Sequence, residues 1–190
     1  FVLTTPIGEP ALVRPTAAWA EDGVDHPVLF WEAGELGLWF TGMSNGRGTI
    51  ATAHWDGVHF ITDGPIEGLQ ASATTGYAAA VPFDLDGIPH AIVVADEGDA
   101  QRLELWSLAS GSALRQSVIR QTPRTDLFAF DRDEIGGAAA VVIGGVTRVY
   151  YAGRRGTRWS IGVLASDDGE HWNEPPNHVV LGASDAGFDA

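Results

Sequence analysis

An internal repeat restricts the fold of this chain more than any other feature of the sequence. The segment AHWDGVHF at residues 53–60 aligns with ASDDGEHW at residues 165–172, with identical residues at the alanine, aspartate, glycine and histidine positions. Upstream, LWFTG at residues 38–42 aligns with VYYAG at residues 149–153. The offsets of the two alignments differ by a single residue, which one insertion in the intervening turn explains. Self-similarity of this kind reports repeated structural units.

A third copy lies about half-way between the other two. Residues 90–96 form a short apolar stretch, and residues 102–108 alternate between polar and apolar side chains. A Ser-Gly turn then precedes Leu114, as an Asp-Gly turn precedes Phe60 in the first copy. The repeating unit is therefore about 56 residues long.

Each unit has four short stretches with the two-residue periodicity of β-strands, separated by turn residues. In the first unit the predicted strands lie at residues 27–31, 37–41, 49–53 and 58–61. The Asn45-Gly46 pair predicts a tight hairpin because both central positions of such a turn require positive φ. In the third unit, strands are predicted at residues 138–143, 148–152 and 159–165, with a last short strand near Trp172.

Four antiparallel strands in every repeat predict an all-β fold, a β-propeller made of four-stranded antiparallel blades. A single blade buries its faces only when neighbours pack against it, so the repeats are expected to stand side by side around an axis. The whole of residues 1–190 is predicted to belong to one propeller domain. The predicted blades are residues 24–65, 77–120 and 135–181, and the ends, 1–12 and 182–190, are predicted to belong to neighbouring blades.

About three complete blades are fewer than a closed ring contains, since propellers have roughly four to eight. We therefore expect the rest of the ring in sequence outside these residues or in a second chain. The chain opens on Phe1 and shows no signal peptide, and we expect that an upstream segment has been removed.

Composition excludes several partners. The formal net charge of −14 disfavours binding to nucleic acid and to anionic lipid. No stretch approaches the roughly 18 apolar residues of a membrane-spanning helix. The chain has no cysteine, so it has neither disulfides nor thiolate metal ligands. Absence of cysteine is compatible with export, and an extracellular or periplasmic bacterial location is expected.

Three groups of residues carry a family resemblance: Asp25-His26-Pro27 before the first inner strand, the aromatic segments at 39–42 and 150–153, and SDDGEHW at 166–172. Together they resemble the motifs of the five-bladed propeller glycosidases, which include arabinanases, β-xylosidases and arabinofuranosidases, with invertases and levansucrases as relatives. The resemblance covers nearly the whole chain. It implies a five-bladed ring that acts on or binds a polysaccharide or oligosaccharide through a central funnel.

The resemblance also implies three carboxylates at the mouth of the funnel, near the starts of inner strands from different blades. Asp25 matches the family's aspartate and is the first candidate for a catalytic base or nucleophile. At the corresponding offsets the other blades have Ala79 and Gly136, which are not acids. Glu134, two residues before Gly136, is the candidate general acid, and Asp133 is a weaker one.

Three further residues are candidate substrate contacts. His26 adjoins Asp25, and Trp19 and Trp31 flank the first inner strand, where their rings could stack on a sugar. The structural alternative is that Asp25 caps a turn and His26 hydrogen-bonds to a neighbouring blade. The remaining tryptophans fall mostly within strands and are predicted to fill the core between blades, including Trp39, Trp106 and Trp159.

No metal site is predicted. The histidines on turns and outer strands repeat with the blades and are interpreted as structural, and none has a zinc-site spacing: His54, His59 and His171. An acidic cluster around the second blade is interpreted as a solvated face, with Ca²⁺ binding as the alternative: Asp84, Asp86, Asp96, Glu97 and Asp99. No other cofactor is predicted.

Two functions remain open from the sequence. The first is a glycoside hydrolase-like propeller, and the second is a non-catalytic propeller that serves as a binding or scaffold module of a cell-surface or extracellular assembly. They differ in whether carboxylates from at least two blades converge within about 5–10 Å at the funnel mouth.

Overall fold

The described residues, 11–12, 15–32, 34–109 and 111–182, contain twelve β-strands in three four-stranded antiparallel sheets. This computed structural model confirms the all-β fold and the four-stranded blades predicted from the repeat. A 3₁₀ turn, Ala18–Ala20, precedes the first sheet. No helix in the described part of the chain has the length or the hydrophobicity to cross a membrane.

The strands of each sheet are neighbours in chain order, so every sheet is a meander. Blade 1 contains β1 (Gly23–Glu32), β2 (Glu35–Ser44), β3 (Arg47–Trp55) and β4 (Phe60–Pro65). Blade 2 contains β5 (Gly76–Leu85), β6 (Ile88–Glu97), β7 (Ala100–Ser107) and β8 (Leu114–Thr122). Blade 3 contains β9 (Glu134–Ile143), β10 (Val146–Arg155), β11 (Arg158–Ser166) and β12 (Val179–Leu181).

The last strand of blade 3 lies further along the chain than predicted. Near Trp172 only a single bridge forms, between Asn173 and Ala165, and the outer strand follows at Val179–Leu181. The strand begins later because Pro175 and Pro176 follow the bridge, and proline has no N–H to donate to a strand ladder.

Blade 2 is buried on both faces, which explains why β6 is apolar without alternation. Ala91 and Val93 point into a core shared with blade 1, whereas Ile92 and Val94 point into a core shared with blade 3. Trp39 and Trp106 lie in the first of these cores, as predicted.

Trp159 is 41% exposed in the described part of the chain, so its place in a core between blades stays a prediction. It lies on the face of blade 3 that points away from blade 2, where the guanidinium of Arg154 covers its ring at 5.8 Å.

A buried ionic network joins blades 2 and 3. Asp131, in the connection between the blades, has no exposed surface. Its carboxylate accepts hydrogen bonds from the Tyr151 hydroxyl at 2.7 Å and from Arg124 at 2.8 Å. The Nε of Arg120 lies 2.8 Å from the same carboxylate and also donates to Tyr151 at 3.0 Å. Glu174 forms a further ion pair with Arg120. The network therefore ties an outer strand of blade 2 to β10 and to the loop after β11.

Removal of the central carboxylate should destabilise the protein strongly. Asp131→Ala leaves the charges of Arg120 and Arg124 without their buried partner, and we expect it to lower the free energy of unfolding by about 3–5 kcal/mol. The matched control is Asp99→Ala in an exposed hairpin, for which a change within about 0.5 kcal/mol is expected. Urea denaturation of both variants measures the difference, and equal effects would contradict a bridging role for Asp131.

Candidate functional site

Every inner strand is bulged near its start, at the same end of the three blades. The pairing register shifts between Asp25 and Val28 in β1, and between Tyr77 and Ala79 in β5. In β9 the register shifts between Ile135, which pairs with Gly153 of β10, and Ala138, which pairs with Tyr151. Bulges re-aim side chains and concentrate next to active sites, so this end of the blades is the candidate functional end.

The first bulge turns Asp25 and His26 towards solvent. His26 has φ of 47°, a left-handed conformation that is strained for a residue with a side chain. Asp25 Oδ1 accepts the backbone N–H of His26 at 2.7 Å, and the His26 Nδ1 lies 3.5 Å from the other carboxylate oxygen. The Asp25 side chain is nevertheless 66% exposed. Asp25 therefore holds its own turn and still presents a carboxylate outward.

Asp25 and His26 line a cleft between blades 1 and 2 with a volume of about 350 Å³. Arg47, from the start of β3, and Asp96, near the end of β6, line the same cleft. Carboxylates from two blades therefore share one cavity. The sequence did not identify Asp96 as a site residue, because it was grouped with the acidic cluster. Its position near the end of a second strand, beside the β6–β7 hairpin, was the available signal.

Tyr77 also lines the cleft, and we interpret its side chain as part of the cleft surface and not as a reactive group. Burial, reinforced by the Glu104 carboxylate, raises the pKa of the Tyr77 phenol. Its hydroxyl therefore keeps its proton, and it donates to the carbonyl of Gly68 at 3.3 Å. The ring also packs edge-on against Trp106, with the ring centroids 5.9 Å apart.

The residues that correspond to Asp25 in the other blades are not acids. Val24 pairs with Gly42, Tyr77 pairs with Ala95, and Ile135 pairs with Gly153. The residues that follow are Asp25 in blade 1, Ala78 in blade 2 and Gly136 in blade 3. The predicted counterpart Ala79 was thus one residue too late, because the paired positions of blades 1 and 2 are offset by 53 residues (Val24 to Tyr77, and Gly42 to Ala95) and not by 54.

Glu134 is placed at the start of β9, where its carboxylate forms an ion pair with Arg154, its cross-strand neighbour. It does not line the cleft of Asp25. The adjacent Asp133 accepts the backbone N–H of Gly156 at 2.6 Å. That hydrogen bond, with smaller contributions from Arg132 and Arg154, lowers the pKa of Asp133. Asp133 therefore supports the β10–β11 hairpin.

The two candidate tryptophans lie at opposite ends of β1. Trp19 packs against Phe40, with ring centroids 6.0 Å apart, and its indole covers Gly42. It also borders a groove that contains Arg47, so it lies near the cleft. Trp31 is six residues after Asp25 on the same strand, which corresponds to roughly 20 Å. A single monosaccharide cannot contact both Asp25 and Trp31.

The acidic cluster divides between the two ends of β6. Asp84 and Asp86 lie at the β5–β6 hairpin, and the other three carboxylates lie at the β6–β7 end, about 30 Å away. The five side chains therefore cannot surround one ion. Among the residues that the structure describes, no group of three or more histidine and carboxylate side chains is arranged to hold a metal.

Comparison with known proteins identifies the fold. No family model matches the chain, and no curated protein matches it. Among solved structures, a thermostable family-43 glycoside hydrolase superposes with a TM-score of 0.64 at 17% identity, over 83% of this chain and 55% of that one. A β-1,2-mannobiose phosphorylase from Listeria innocua gives 0.69 at 15% identity, over 88% and 48%. A family 117 glycoside hydrolase produced by Zobellia galactanivorans gives 0.65 at 13% identity, over 86% and 57%.

The fold is that of the propeller glycoside hydrolases. The chain spans only about half of the length of these structures. The resemblance seen in the blade motifs is therefore confirmed for the architecture of the glycosidase-like propeller.

The repeated Asp-Gly turns of the propeller are structural. Asp168 accepts the backbone N–H groups of Glu170 and His171 at 2.8 and 2.7 Å, and Asp56 accepts two N–H groups in the same way. The Nδ1 of His171 lies 2.6 Å from Asp168, and His54 makes an equivalent contact with Asp63. The backbone N–H and the imidazole of His171 lower the pKa of Asp168.

The same contact raises the pKa of His171 above its ordinary value of about 6.5. It therefore stabilises the fold fully below about pH 6.5 and loses that contribution as pH rises through the raised pKa. In an NMR pH titration, Asp168→Asn should lower the midpoint of the His171 imidazole. Asp167→Asn removes a nearby charge without the hydrogen bond and should lower it less. An unchanged midpoint in Asp168→Asn would show that the hydrogen bond does not form in solution.

The width of the cleft depends on Gly48 at the start of β3. A Cβ atom there would lie 2.0 Å from the backbone oxygen of Tyr77, so a side chain would force β3 and β5 apart. Gly48→Ala is expected to lower the free energy of unfolding by about 1–3 kcal/mol. At Gly137 nothing lies within 4 Å of the added atom, and Gly137→Ala should change stability by less than about 0.5 kcal/mol. Chemical denaturation distinguishes the two, and equal values would refute the close approach.

Proposed function

We propose that this chain is part of a glycoside hydrolase-like propeller that acts on a neutral oligosaccharide or polysaccharide, which it binds in the cleft between blades 1 and 2. The observation that carries the proposal is the strained bulge at His26, which aims Asp25 into a cavity that also contains Asp96 of the neighbouring blade. Strain in a backbone is retained where the surrounding structure needs the resulting side-chain position.

The cleft contains the hydrogen-bonding groups that a sugar needs. Carboxylate oxygens of Asp25 and Asp96 accept from hydroxyl groups, and the guanidinium of Arg47 is a donor. Arg47 is held in place because it donates to the carbonyl oxygen of Ser72. A volume of about 350 Å³ falls within the range of small-ligand pockets.

In a hydrolase, Asp25 would serve as the base or nucleophile, because it is the exposed carboxylate of the cleft. Asp96 would be the second carboxylate, contributed from the other side of the same cavity. Two such groups on either side of a glycosidic oxygen are the minimum for acid–base cleavage.

The ligand class is supported by charge and by the similar structures. The net charge of −14 disfavours polyanionic saccharides. One similar structure is a phosphorylase in complex with β-1,2-mannobiose, and others are glycoside hydrolases. Neutral glycosides are therefore the class to test first.

A non-catalytic binding module is the second candidate function. It is favoured by Ala78 and Gly136, which leave the positions equivalent to Asp25 without acids, and by the ion pair that engages Glu134. Such a module would bind the same class of sugar in the same cleft without cleaving it.

The variant Asp25→Asn separates the two functions. Its control is Asp86→Asn, which also removes one exposed carboxylate but lies in the β5–β6 hairpin, away from the cleft. For a hydrolase, Asp25→Asn should lower kcat/KM on aryl glycosides by at least about 10²-fold, while Asp86→Asn behaves as the wild type. For a binding module, calorimetry should detect sugar binding without hydrolysis, with the Kd about tenfold higher in Asp25→Asn.

Two results would contradict the proposal. One is that no neutral glycoside in a broad panel is bound or cleaved. The other is that Asp86→Asn has the same effect as Asp25→Asn, because the effect would then reflect overall charge and not the cleft.

A further inference from the structure

The connection from blade 1 to blade 2, residues 66–75, contributes one wall of the cleft at Asp25. Thr74 of this connection lines the cleft directly. Arg47, which also lines it, donates from its guanidinium to the carbonyl oxygen of Ser72. The position of the connection therefore determines where two polar side chains of the cleft are found.

We propose that Thr75 and Glu97 are positioning residues for this wall. Neither is among the described residues that line the cleft, but the Thr75 hydroxyl donates to Glu97 Oε1 at 3.4 Å. Glu97 is the last residue of β6, so this hydrogen bond joins the connection to a strand of blade 2. Through it, blade 2 holds Thr74 and Arg47 in place beside the carboxylate of Asp25.

The two halves of the connection are held in different ways. In the first half, Leu69 has no exposed surface, and the backbone of Ile50 is hydrogen-bonded to both Leu69 and Ile66, at 3.0 and 2.9 Å. The second half, residues 71–75, has only exposed and partly exposed side chains. Because apolar burial does not fix the second half, polar contacts determine where it lies.

Residues 72–75 form one closed turn. The N–H of Ser72 donates to the carbonyl oxygen of Thr75 at 2.8 Å. The Ser72 hydroxyl accepts from the N–H groups of Thr74 and Thr75, at 3.2 and 3.0 Å. A serine that closes a turn in this way fixes the shape of the turn. A contact at Thr75 therefore also sets the position of the Ser72 carbonyl oxygen, which binds Arg47.

The turn has one side-chain anchor on each blade. On blade 1, Thr49 Oγ1 accepts the N–H of Ala71 at 2.9 Å. On blade 2, the anchor is the contact between Thr75 and Glu97. The peptide bond to Gly76 fixes one end of the turn but leaves its rotation about that end free, and the side-chain anchors restrict this rotation.

Glu97 is itself held by a buried ionic network, so it is a fixed acceptor. It forms an ion pair with Arg102, whose side chain is 16% exposed. Arg102 Nε lies 3.1 Å from the carboxylate of Glu104, which is almost fully buried. Glu104 also accepts from Arg115 at 3.2 Å and from Trp106 Nε1 at 2.9 Å. A carboxylate held in this way has already lost its side-chain entropy, so the hydrogen bond from the connection costs less to form.

The benefit of this positioning is a lower entropic cost of ligand binding. A guanidinium that is already held in place loses less freedom when it binds a hydroxyl group than a mobile one does. The effect on sugar binding rests on the proposed function, whereas the ordering of Arg47 by Thr75 and Glu97 does not.

The Nε–H signal of Arg47 in two-dimensional NMR tests the proposal, because it reports the order of the guanidinium without any ligand. The signal is assigned by its loss in Arg47→Gln. Thr75→Val removes the hydroxyl and keeps the shape of the side chain. In this variant the heteronuclear NOE of the Arg47 Nε–H should fall, and the Kd for neutral manno- and xylo-oligosaccharides should rise about threefold to tenfold. Thr75→Ser keeps the hydroxyl and should restore both values.

The matched control is Thr122→Val at the end of β8. It also removes a threonine hydroxyl that donates at 3.4 Å, in this case to the carbonyl oxygen of Gln101. A general loss of stability should lower Tm in both variants. Only Thr75→Val should change the Arg47 signal, because only Thr75 belongs to the turn that binds Arg47.

Glu97→Ala tests the other partner of the contact. If the hydrogen bond is the route, adding Thr75→Val to Glu97→Ala should not lower the Arg47 NOE further, because both changes remove the same interaction. Additive losses would show that Thr75 acts by another route and would overturn the role of Glu97.

The outcomes separate this inference from the proposed function. An Arg47 NOE that is unchanged in Thr75→Val, or that falls equally in Thr122→Val, overturns the positioning role and leaves the proposal for Asp25 unaffected. A fall confined to Thr75→Val supports the positioning role even if no sugar binds, and the proposed function alone then fails.

Discussion

The structure depends on the burial of blade 2 between its two neighbours. A four-stranded sheet gains stability only from the apolar faces that it covers, and β6 presents apolar side chains in both directions. Its alternate residues belong to two different cores, so the loss of either neighbour would expose one of them. The position of the cleft at Asp25 follows from this packing, because the cleft is lined by residues of blades 1 and 2.

The architecture was predictable from the sequence because the repeat reports it directly. The match between Phe60 and Leu114 marked the first residues of β4 and β8, and Trp39 and Trp106 lie in the core as their strand positions implied. The last strand was harder, because two prolines follow the bridge near Trp172 and displace the strand along the chain.

The candidate site was only partly predictable. Asp25 could be selected because a local motif surrounds it, and the structure places it at a bulge beside a cavity. Asp96 was not selected, since its position near a strand end was a weak signal and the cavity that it shares with Asp25 lies between two blades that are far apart in sequence. The offset that led to Ala79 was one residue too large, because the second copy of the repeat is degraded and does not fix the exact register of its first strand. The arrangement of Asp25 and Asp96 depends on how two strands from different blades are placed, whereas a sequence motif describes one strand at a time.

The Asp131 network adds a constraint that apolar packing cannot supply. Apolar contacts tolerate sliding, but the hydrogen bonds from Tyr151, Arg120 and Arg124 to one buried carboxylate have fixed directions. They therefore restrict the rotation of blade 3 about the propeller axis relative to blade 2. In a propeller the rotation between successive blades determines how the ring closes, so this single carboxylate sets part of that geometry between blades 2 and 3 as well as stabilising it.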